Sequence, residues 1–227
     1  MIFKRFIVLL SVLFIQLIVF GQKDEKGKPS PKDTALVNKL LKESALHFMD
    51  DQALAIELAI QARDHATKTN YKSGLAYSYK NIGIINYYQG DYFKSLENYN
   101  HALKIFLAIE DNVGISNMYS NIGAIYYNQA DYVKALENHL SSLKYAELAN
   151  DKLRILTALN NIGGVYFIKP ATYDKALEYY FRALPLCEEL GNTNNLGAIS
   201  VNIGNIYFNK KMDNEALSYF NKSLKAY

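Results

Sequence analysis

Apolar residues recur along most of this 227-residue chain at spacings of three and four, the period of an amphipathic α-helix. Short breaks rich in glycine, aspartate and asparagine separate the periodic segments, as at Gly90-Asp91 and Asn150-Asp151. The chain lacks the strict alternation of apolar and polar residues that marks a half-buried strand. The pattern therefore predicts an all-α chain built from short helices.

The helical segments belong to a repeat. The tripeptide Asn-Ile-Gly recurs about every 40 residues, a period typical of repeat architectures, and begins at Asn81, Asn121, Asn161 and Asn202. Each tripeptide is followed by large apolar residues, a short break and a second helical segment. The four second segments are KSLENYNHAL, KALENHLSSL, KALEYYFRAL and EALSYFNKSL. A fainter copy, Ala55-Ile56-Glu57, stands one repeat length before Ser95-Leu96-Glu97. The chain thus holds about five units, the first of them divergent.

Each unit contains two predicted helices, and a single helix pair cannot bury its own apolar face. Antiparallel pairs are therefore expected to stack into a solenoid with a continuous core. The first helices need N-caps at Asp111-Asn112, Asn150-Asp151 and Asn192-Thr193, whose side-chain oxygens can accept from unpaired N–H groups. A glycine inside a helix costs about 1 kcal/mol relative to alanine. We therefore predict that the four tripeptide glycines let the second helix approach closely; these are Gly83, Gly123, Gly163 and Gly204.

The units resemble the tetratricopeptide repeat. Its signature is a large residue, a large-glycine pair, a tyrosine, a turn, an alanine, an aromatic residue and a second alanine. In the fourth unit the matching positions are Leu159, Ile162-Gly163, Tyr166, Tyr173, Ala176, Tyr180 and Ala183. The fifth unit departs from the signature at Ser200 and Asp213, where large residues are usual. The common period of the family is about 34 residues, and the longer period here resembles the bacterial type found in exported and sensor proteins.

The resemblance implies a fold, a right-handed α-solenoid of about five repeats that covers residues 34–227, with the last repeat incomplete. In such arrays the first helix of each pair lines an inner, concave groove. The predicted repeats are residues 34–70, 71–110, 111–150, 151–191 and 192–227.

A polar but uncharged stripe lies opposite the glycines on the first helices, and the resemblance implies that this stripe lines the groove. An asparagine side chain offers one acceptor and two donors, which match the groups of a peptide backbone. The predicted peptide-binding residues are Asn81, Asn117, Asn121, Asn128, Asn161, Asn202, Tyr88 and Tyr127. Three other interpretations stay open: the asparagines are hydrated, they bond to one another across repeats, or they are inherited family consensus without a ligand here.

Charge and reactive residues narrow the range of functions. The formal net charge of +3 includes no basic cluster of the kind that binds nucleic acid. The predicted stripe contains no lysine or arginine, which argues against a C-terminal carboxylate as the ligand. Cys187 is the single cysteine, the four histidines are dispersed, and His139 occupies a core aromatic position of its unit. Because no catalytic or ligand-binding motif is present, we predict no enzyme activity, no metal and no small-molecule cofactor.

The N-terminus has the parts of a secretory signal peptide, namely the basic pair Lys4-Arg5, an apolar run over residues 7–20 and the small residue Gly21. We expect cleavage after Gly21 and export, most simply to a bacterial periplasm. The alternative is a retained inner-membrane anchor formed by residues 2–20, which would be the only membrane contact. Residues 22–33 are polar, contain two prolines and are predicted to be a disordered linker.

Together these features predict a non-catalytic protein-interaction scaffold that binds an extended peptide or partner protein in its groove. The alternative is the periplasmic sensory part of a truncated signal-transduction protein, either a histidine kinase or a transcription regulator. The reason for this alternative is that residues 224–227 fall inside the second helix of the fifth unit, whereas solenoids usually finish with a capping element.

Overall fold

A computed structural model of the protein describes residues 29–226, which form ten α-helices and one short 3₁₀ helix. The predicted signal peptide, residues 1–21, and residues 22–28 of the predicted linker lie outside the described residues. Within residues 29–226, none of the helices has the length and apolar character needed to span a bilayer. The helices are α1 Pro31–Leu46, α2 Gln52–Lys68, α3 Lys72–Tyr88, α4 Tyr92–Ala108, α5 Asn112–Asn128, α6 Tyr132–Leu148, α7 Lys152–Tyr166, the 3₁₀ helix Pro170–Thr172, α8 Tyr173–Glu189, α9 Thr193–Asn209 and α10 Asp213–Ala226.

Helix α1 begins at Pro31, so the predicted disordered linker is wrong for residues 31–33. Ser30 forms a capping box with Asp33: the Ser30 hydroxyl accepts from the Asp33 backbone N–H at 3.2 Å, and the Asp33 carboxylate accepts from the Ser30 N–H at 3.3 Å. Proline is favoured at the first helical position because its missing N–H would have no intrahelical partner there. This local chemistry outweighs the polar composition of the segment.

The predicted N-caps of the first helices are confirmed. Asp111 accepts from the Gly114 backbone N–H at 2.9 Å, and Asp151 accepts from the Arg154 N–H at 3.0 Å. Asn192 caps α9 in the same way, and aspartates cap the second helices α4 and α6. Each cap satisfies one of the unpaired N–H groups of the first turn, which fixes where the helix starts.

The helices pack in sequence order as antiparallel pairs, α1 with α2 through α9 with α10, and each pair packs on the next. First helices also contact each other across pairs, as α1 does with α3 and α5 with α7. Because the elements on the inside of a curved stack lie closest together, the first helices line the inner side. The predicted all-α solenoid of paired helices is confirmed.

In each of the last four repeats, an aromatic ring from the second helix packs on the glycine of the Asn-Ile-Gly tripeptide. A Cβ atom built on any of the four glycines would lie 2.6 Å from a ring atom, far closer than real Cβ contacts. We call these glycine–ring pairs the ring seats: Gly83 with Tyr99, Gly123 with His139, Gly163 with Tyr180, and Gly204 with Phe220. The predicted role of the glycines in close helix approach is confirmed.

Candidate functional site

The asparagines of the predicted stripe do not all face the groove. Asn81 is only 3% exposed, and its amide donates to the Leu41 backbone carbonyl at 3.1 Å and to the Ser44 hydroxyl at 3.4 Å. Both acceptors lie on α1, in the preceding repeat. Asn81 is therefore part of an interface between repeats, which corrects its predicted position on an open surface.

Other stripe residues also reach back to the preceding repeat. The Asn128 amide donates to the Tyr87 hydroxyl at 2.7 Å, and the Asn161 amide donates to the Ser120 hydroxyl at 3.3 Å. Asn117 accepts from the Arg154 guanidinium at 2.9 Å, in the following repeat. The asparagines thus bond across repeats, and in each of these bonds the partner is a residue other than asparagine. These bonds use only part of each amide, so peptide binding by the exposed part stays a prediction.

Two cavities open between the first helices on either side of α5. The one between α3 and α5, which we call the aromatic cavity, has a volume of about 270 Å³. The one between α5 and α7, which we call the amide cavity, has a volume of about 230 Å³. The aromatic cavity is lined by Phe48, Ile84, Tyr87, Tyr88, Tyr99, Asn121 and Ala124, and the amide cavity by Ala124, Tyr127, Asn128, His139, Asn160, Asn161 and Gly164.

The two cavities are the same place in the repeat, one unit apart. Residues 84, 87, 88, 99, 121 and 124 of the aromatic cavity correspond, one repeat later, to residues 124, 127, 128, 139, 161 and 164 of the amide cavity. Each cavity therefore contains one Asn-Ile-Gly asparagine, a tyrosine at the position of Tyr87 and Tyr127, and the ring of one ring seat. Of the predicted residues, Tyr88 and Asn121 share the first cavity, and Tyr127, Asn128 and Asn161 share the second. Asn202 lies half-buried on α9, outside both.

His139 and Asn160 line the amide cavity and were not predicted as binding residues. His139 is 2% exposed, and burial lowers its pKa to about 4, so the ring is neutral at pH 7. Its Nδ1 atom and the Asn160 Oδ1 atom are buried without a hydrogen-bond partner in the described part of the chain. The predicted core position of His139 is correct. The sequence indicates only indirectly that His139 borders a cavity. On α7, Gly164 takes the position that Ala124 has on α5, and on α5, Ala124 takes the position that Ile84 has on α3.

A third cavity, of about 150 Å³, lies next to Asn117 near the start of α7 and includes Arg154. The predicted stripe contains no basic residue, but Arg154, outside the stripe, extends across from α7 to Asn117. The Arg154 guanidinium also lies 2.7 Å from the Asp151 carboxylate, which pairs its charge. Lys80 lies over the Tyr77 ring at 5.0 Å, and burial lowers the pKa of its amine.

Reactive groups are sparse along the groove. Residues 29–226 contain no group of three histidine, cysteine, aspartate or glutamate side chains that could hold a metal ion. Cys187 is buried, and burial raises the pKa of its thiol, which keeps the thiol protonated. The polar groups that line the two large cavities are amides, tyrosine hydroxyls and one neutral imidazole. Such groups suit hydrogen bonding and packing against an uncharged ligand.

No protein-family model matches the chain, and no curated protein matches it. Among solved structures, it is similar to aspartyl phosphate phosphatase F from Bacillus subtilis, with a TM-score of 0.68, 16% identity, and coverage of 84% of this chain and 60% of that one. A Rap protein complexed with competence and sporulation factor gives a TM-score of 0.67, 16% identity, and coverage of 84% and 64%. A signal transduction ATPase with numerous domains and a tetratricopeptide repeat sensor, from Pyrococcus horikoshii, gives a TM-score of 0.69, 16% identity, and coverage of 85% and 31%.

The chain spans less than two thirds of the length of each of these three proteins. At this level of identity the likeness concerns the fold, and it agrees with the paired helices. The chain has the tetratricopeptide-repeat fold predicted from its sequence.

Proposed function

We propose that this protein is an exported, non-catalytic scaffold that binds an extended peptide, or an extended segment of a partner protein, along α3, α5 and α7. The observation that carries the proposal is the recurrence of one cavity in successive repeats, each time with an Asn-Ile-Gly asparagine and a tyrosine. A groove whose cavities recur at the repeat spacing suits a ligand that is itself a repeating chain.

The chemistry of the groove supports the same proposal. Asn121 and Asn161 are half-buried and border the cavities, where an amide can serve both the N–H and the C=O of a peptide group. Tyrosine rings provide rigid contact area at little cost in conformational entropy. The structural similarity to a Rap protein solved with competence and sporulation factor gives a binding role further support.

The test is a selection from a displayed random dodecapeptide library on the purified mature protein, followed by Kd measurements by fluorescence anisotropy. A double variant, Asn121→Ala with Asn161→Ala, is expected to bind the selected peptides roughly 30-fold more weakly, because about 1 kcal/mol is lost for each hydrogen bond and 1.4 kcal/mol is tenfold in Kd. Failure to select any peptide, or an unchanged Kd in the folded double variant, would overturn the proposal.

The chain offers a matched control for this experiment. Asn98 and Asn138 also occupy equivalent positions of successive repeats, but they lie on the second helices, and each donates at 2.8 Å to a backbone carbonyl of its own helix. Replacing both with alanine is expected to leave the Kd unchanged. A loss of binding there as large as in the groove variant would show a general effect on the fold.

Export is the second part of the proposal, supported by Lys4-Arg5, the apolar residues 7–20 and Gly21. Mass spectrometry of the protein from the extracytoplasmic fraction should find Gln22 as its first residue. Recovery of the uncleaved chain from the membrane fraction would instead favour a retained anchor.

The absence of catalysis is the third part, supported by a groove lined with amides and tyrosines. One of the similar structures is a phosphatase by name, so the informative assay is hydrolysis of acetyl phosphate. No turnover above the buffer rate is expected. Turnover that is lost in the Asp111→Asn or Asp151→Asn variant would contradict this part of the proposal.

A second candidate function is the sensory part of a signalling protein. It is favoured by the similarity to a signal transduction ATPase that carries a tetratricopeptide repeat sensor. The two candidates share the groove and differ in what the groove controls. A coding sequence that continues past Tyr227 into a membrane helix and an output domain would favour the sensor, and a stop codon there would favour the independent scaffold.

A further inference from the structure

We propose that the amide cavity is a side-chain pocket for a primary carboxamide, that is, a glutamine or asparagine side chain of the bound peptide. This inference rests on the proposed function, since it names what one position of the groove selects. It depends on unpaired polar atoms, on the charge of the lining and on the comparison with the aromatic cavity.

The first observation is that two buried polar atoms of the cavity have no partner. His139 Nδ1 and Asn160 Oδ1 make no hydrogen bond within residues 29–226, and such atoms are rare in folded proteins because each costs stability. The fold does not require either of them. The same ring seat holds a tyrosine in the second and fourth repeats and a phenylalanine in the fifth, and the position of Asn160 holds Val201 in the fifth. A ligand that bonds to both atoms would account for their presence.

The second observation is that a carboxamide complements these atoms. A primary carboxamide carries two N–H donors and one carbonyl acceptor. Asn160 Oδ1 can accept one N–H. His139 Nδ1 can accept the second N–H in one neutral tautomer, or donate to the carbonyl in the other. A hydroxyl meets both atoms only in the second tautomer, by donating to Asn160 Oδ1 and accepting from His139 Nδ1, whereas a carboxamide meets both atoms in either tautomer.

The third observation is that charge is excluded. None of the seven described residues that line the amide cavity is charged at pH 7, since the His139 ring is neutral. A lysine, arginine, aspartate or glutamate side chain entering the cavity would lose its hydration without gaining a counter-charge, which is strongly unfavourable. A neutral polar side chain carries no such penalty.

The aromatic cavity provides an internal reference for size and polarity. Where the amide cavity has Ala124, Asn128 and Gly164, the aromatic cavity has Ile84, Tyr88 and Ala124. About 230 Å³ is open beside His139, against about 270 Å³ in the aromatic cavity, and this is several times the ~30 Å³ that one water occupies in the liquid. The volume therefore accommodates a carboxamide together with the methylene groups that lead to it.

The experiment uses the peptides selected on the mature protein. We expect them to share glutamine or asparagine at one position, and replacement of that residue by leucine, which is similar in size, should weaken binding about tenfold. A His139→Phe, Asn160→Val double variant should lose this preference, so that the carboxamide and leucine peptides bind within about twofold of each other. Both substitutions are residues that the chain itself carries at the corresponding positions of its fifth repeat, so the fold is expected to tolerate them.

A spectroscopic measurement on the wild-type protein gives a second test. In a sample with ¹⁵N-labelled histidine, the ring signals of His139 are assigned by their loss in the His139→Phe variant. The carboxamide peptide should shift the Nδ1 resonance of His139, whereas the leucine peptide should leave it near its unbound position. Equal shifts with both peptides would overturn the inference.

The outcomes separate this inference from the proposed function. If no peptide is selected, or if the Asn121→Ala, Asn161→Ala variant binds normally, the groove itself is wrong and the inference falls with it. If peptides bind through the groove but show no carboxamide preference, or keep that preference in the His139→Phe, Asn160→Val variant, the pocket alone is wrong. The unpaired atoms would in that case be bonded to ordered water.

Discussion

The aromatic cavity and the amide cavity share their backbone frame and differ in their chemistry. Both lie against α5, both hold an Asn-Ile-Gly asparagine and a tyrosine, and both are closed at the back by a ring seated on a glycine. In one the ring is Tyr99, and in the other it is His139. The difference shows that the repeat sets the position of each cavity, while single side chains set what each cavity can bind. The repeat frame can therefore be tested separately from the cavity chemistry.

The largest expected difference between the cavities is in pH dependence. Burial lowers the pKa of His139 from 6.5 to about 4, so the unfolded chain takes up a proton that the folded chain excludes. Stability from this group is fully present above pH 6.5 and is lost as the pH falls to about 4, a change of about 3 kcal/mol at 1.36 kcal/mol per pKa unit. Burial raises the pKa of Tyr99, which therefore stays neutral across this window.

Urea unfolding at pH 7, 6, 5 and 4 checks this prediction. The wild-type protein should lose about 3 kcal/mol more free energy of unfolding than the His139→Phe variant over that range. The comparison with the variant removes the contribution of the carboxylates, which is common to both proteins. Parallel pH profiles for the two proteins would contradict the buried, neutral state of His139.

The second prediction concerns the shared frame. Gly83→Ala and Gly123→Ala each place a methyl group 2.6 Å from a buried ring, so both should lower the free energy of unfolding by about 2 kcal/mol through overpacking. Gly164→Ala is the control, because its Cβ would meet no described atom within 4 Å, and it should stabilise the helix by up to about 1 kcal/mol. Thermal and urea unfolding measure all three. If Gly83→Ala and Gly123→Ala lowered the free energy of unfolding by very different amounts, the two cavities would not share a backbone frame.

The third prediction separates two asparagines that the repeat makes equivalent. Asn81→Ala removes buried hydrogen bonds to Leu41 and Ser44 and should cost about 1–2 kcal/mol of stability. Asn121→Ala, at the edge of the aromatic cavity, should change stability by less than about 0.5 kcal/mol. Urea unfolding of both variants decides between an interface role and a groove role. Equal losses would mean that Asn121 is as structural as Asn81.

The smallest expected effect lies in the turns that follow the two cavities. Gly90, after the aromatic cavity, has φ +77°, and Ala130, after the amide cavity, has φ +58°, in the left-handed region that costs a residue with a Cβ roughly 1–2 kcal/mol. Ala130→Gly should therefore stabilise the protein by about 0.5 kcal/mol after the greater flexibility of an unfolded glycine is counted. Gly90→Ala should destabilise it by about 1 kcal/mol for the same reason. Differential scanning calorimetry should therefore show a higher Tm for Ala130→Gly and a lower Tm for Gly90→Ala than for the wild-type protein.

Several features of the fold followed from short stretches of sequence. The caps at Asp111, Asp151 and Asn192, and the close approach at Gly83 and its equivalents, are local or repeat-spaced signals, and each is present in the structure. The early start of α1 was missed because a composition rich in proline and charge masked the capping box of Ser30 and Asp33. The signal was present in the sequence, but it was given too little weight.

The candidate site was predicted less completely than the fold. The stripe on the first helices was identified, and five of its predicted residues line the two large cavities. Three features were not predicted: the burial of Asn81, the contact of Arg154 with Asn117, and the position of His139 and Asn160 in the lining of the amide cavity. These features depend on contacts between residues that are far apart in the chain, such as Leu41 and Asn81, which lie one whole repeat apart.

Periodicity, caps and repeat spacing thus specified the helices, their pairing and their order, because these properties arise from neighbours within a few residues or from one unit packing on a similar one. The environment of each groove residue came from how adjacent repeats are rotated and packed. A side chain at the border of a helical stripe faces either the neighbouring repeat or the groove according to a small rotation, and the stripe pattern is the same in both cases. For that reason four equivalent asparagines occupy different surroundings.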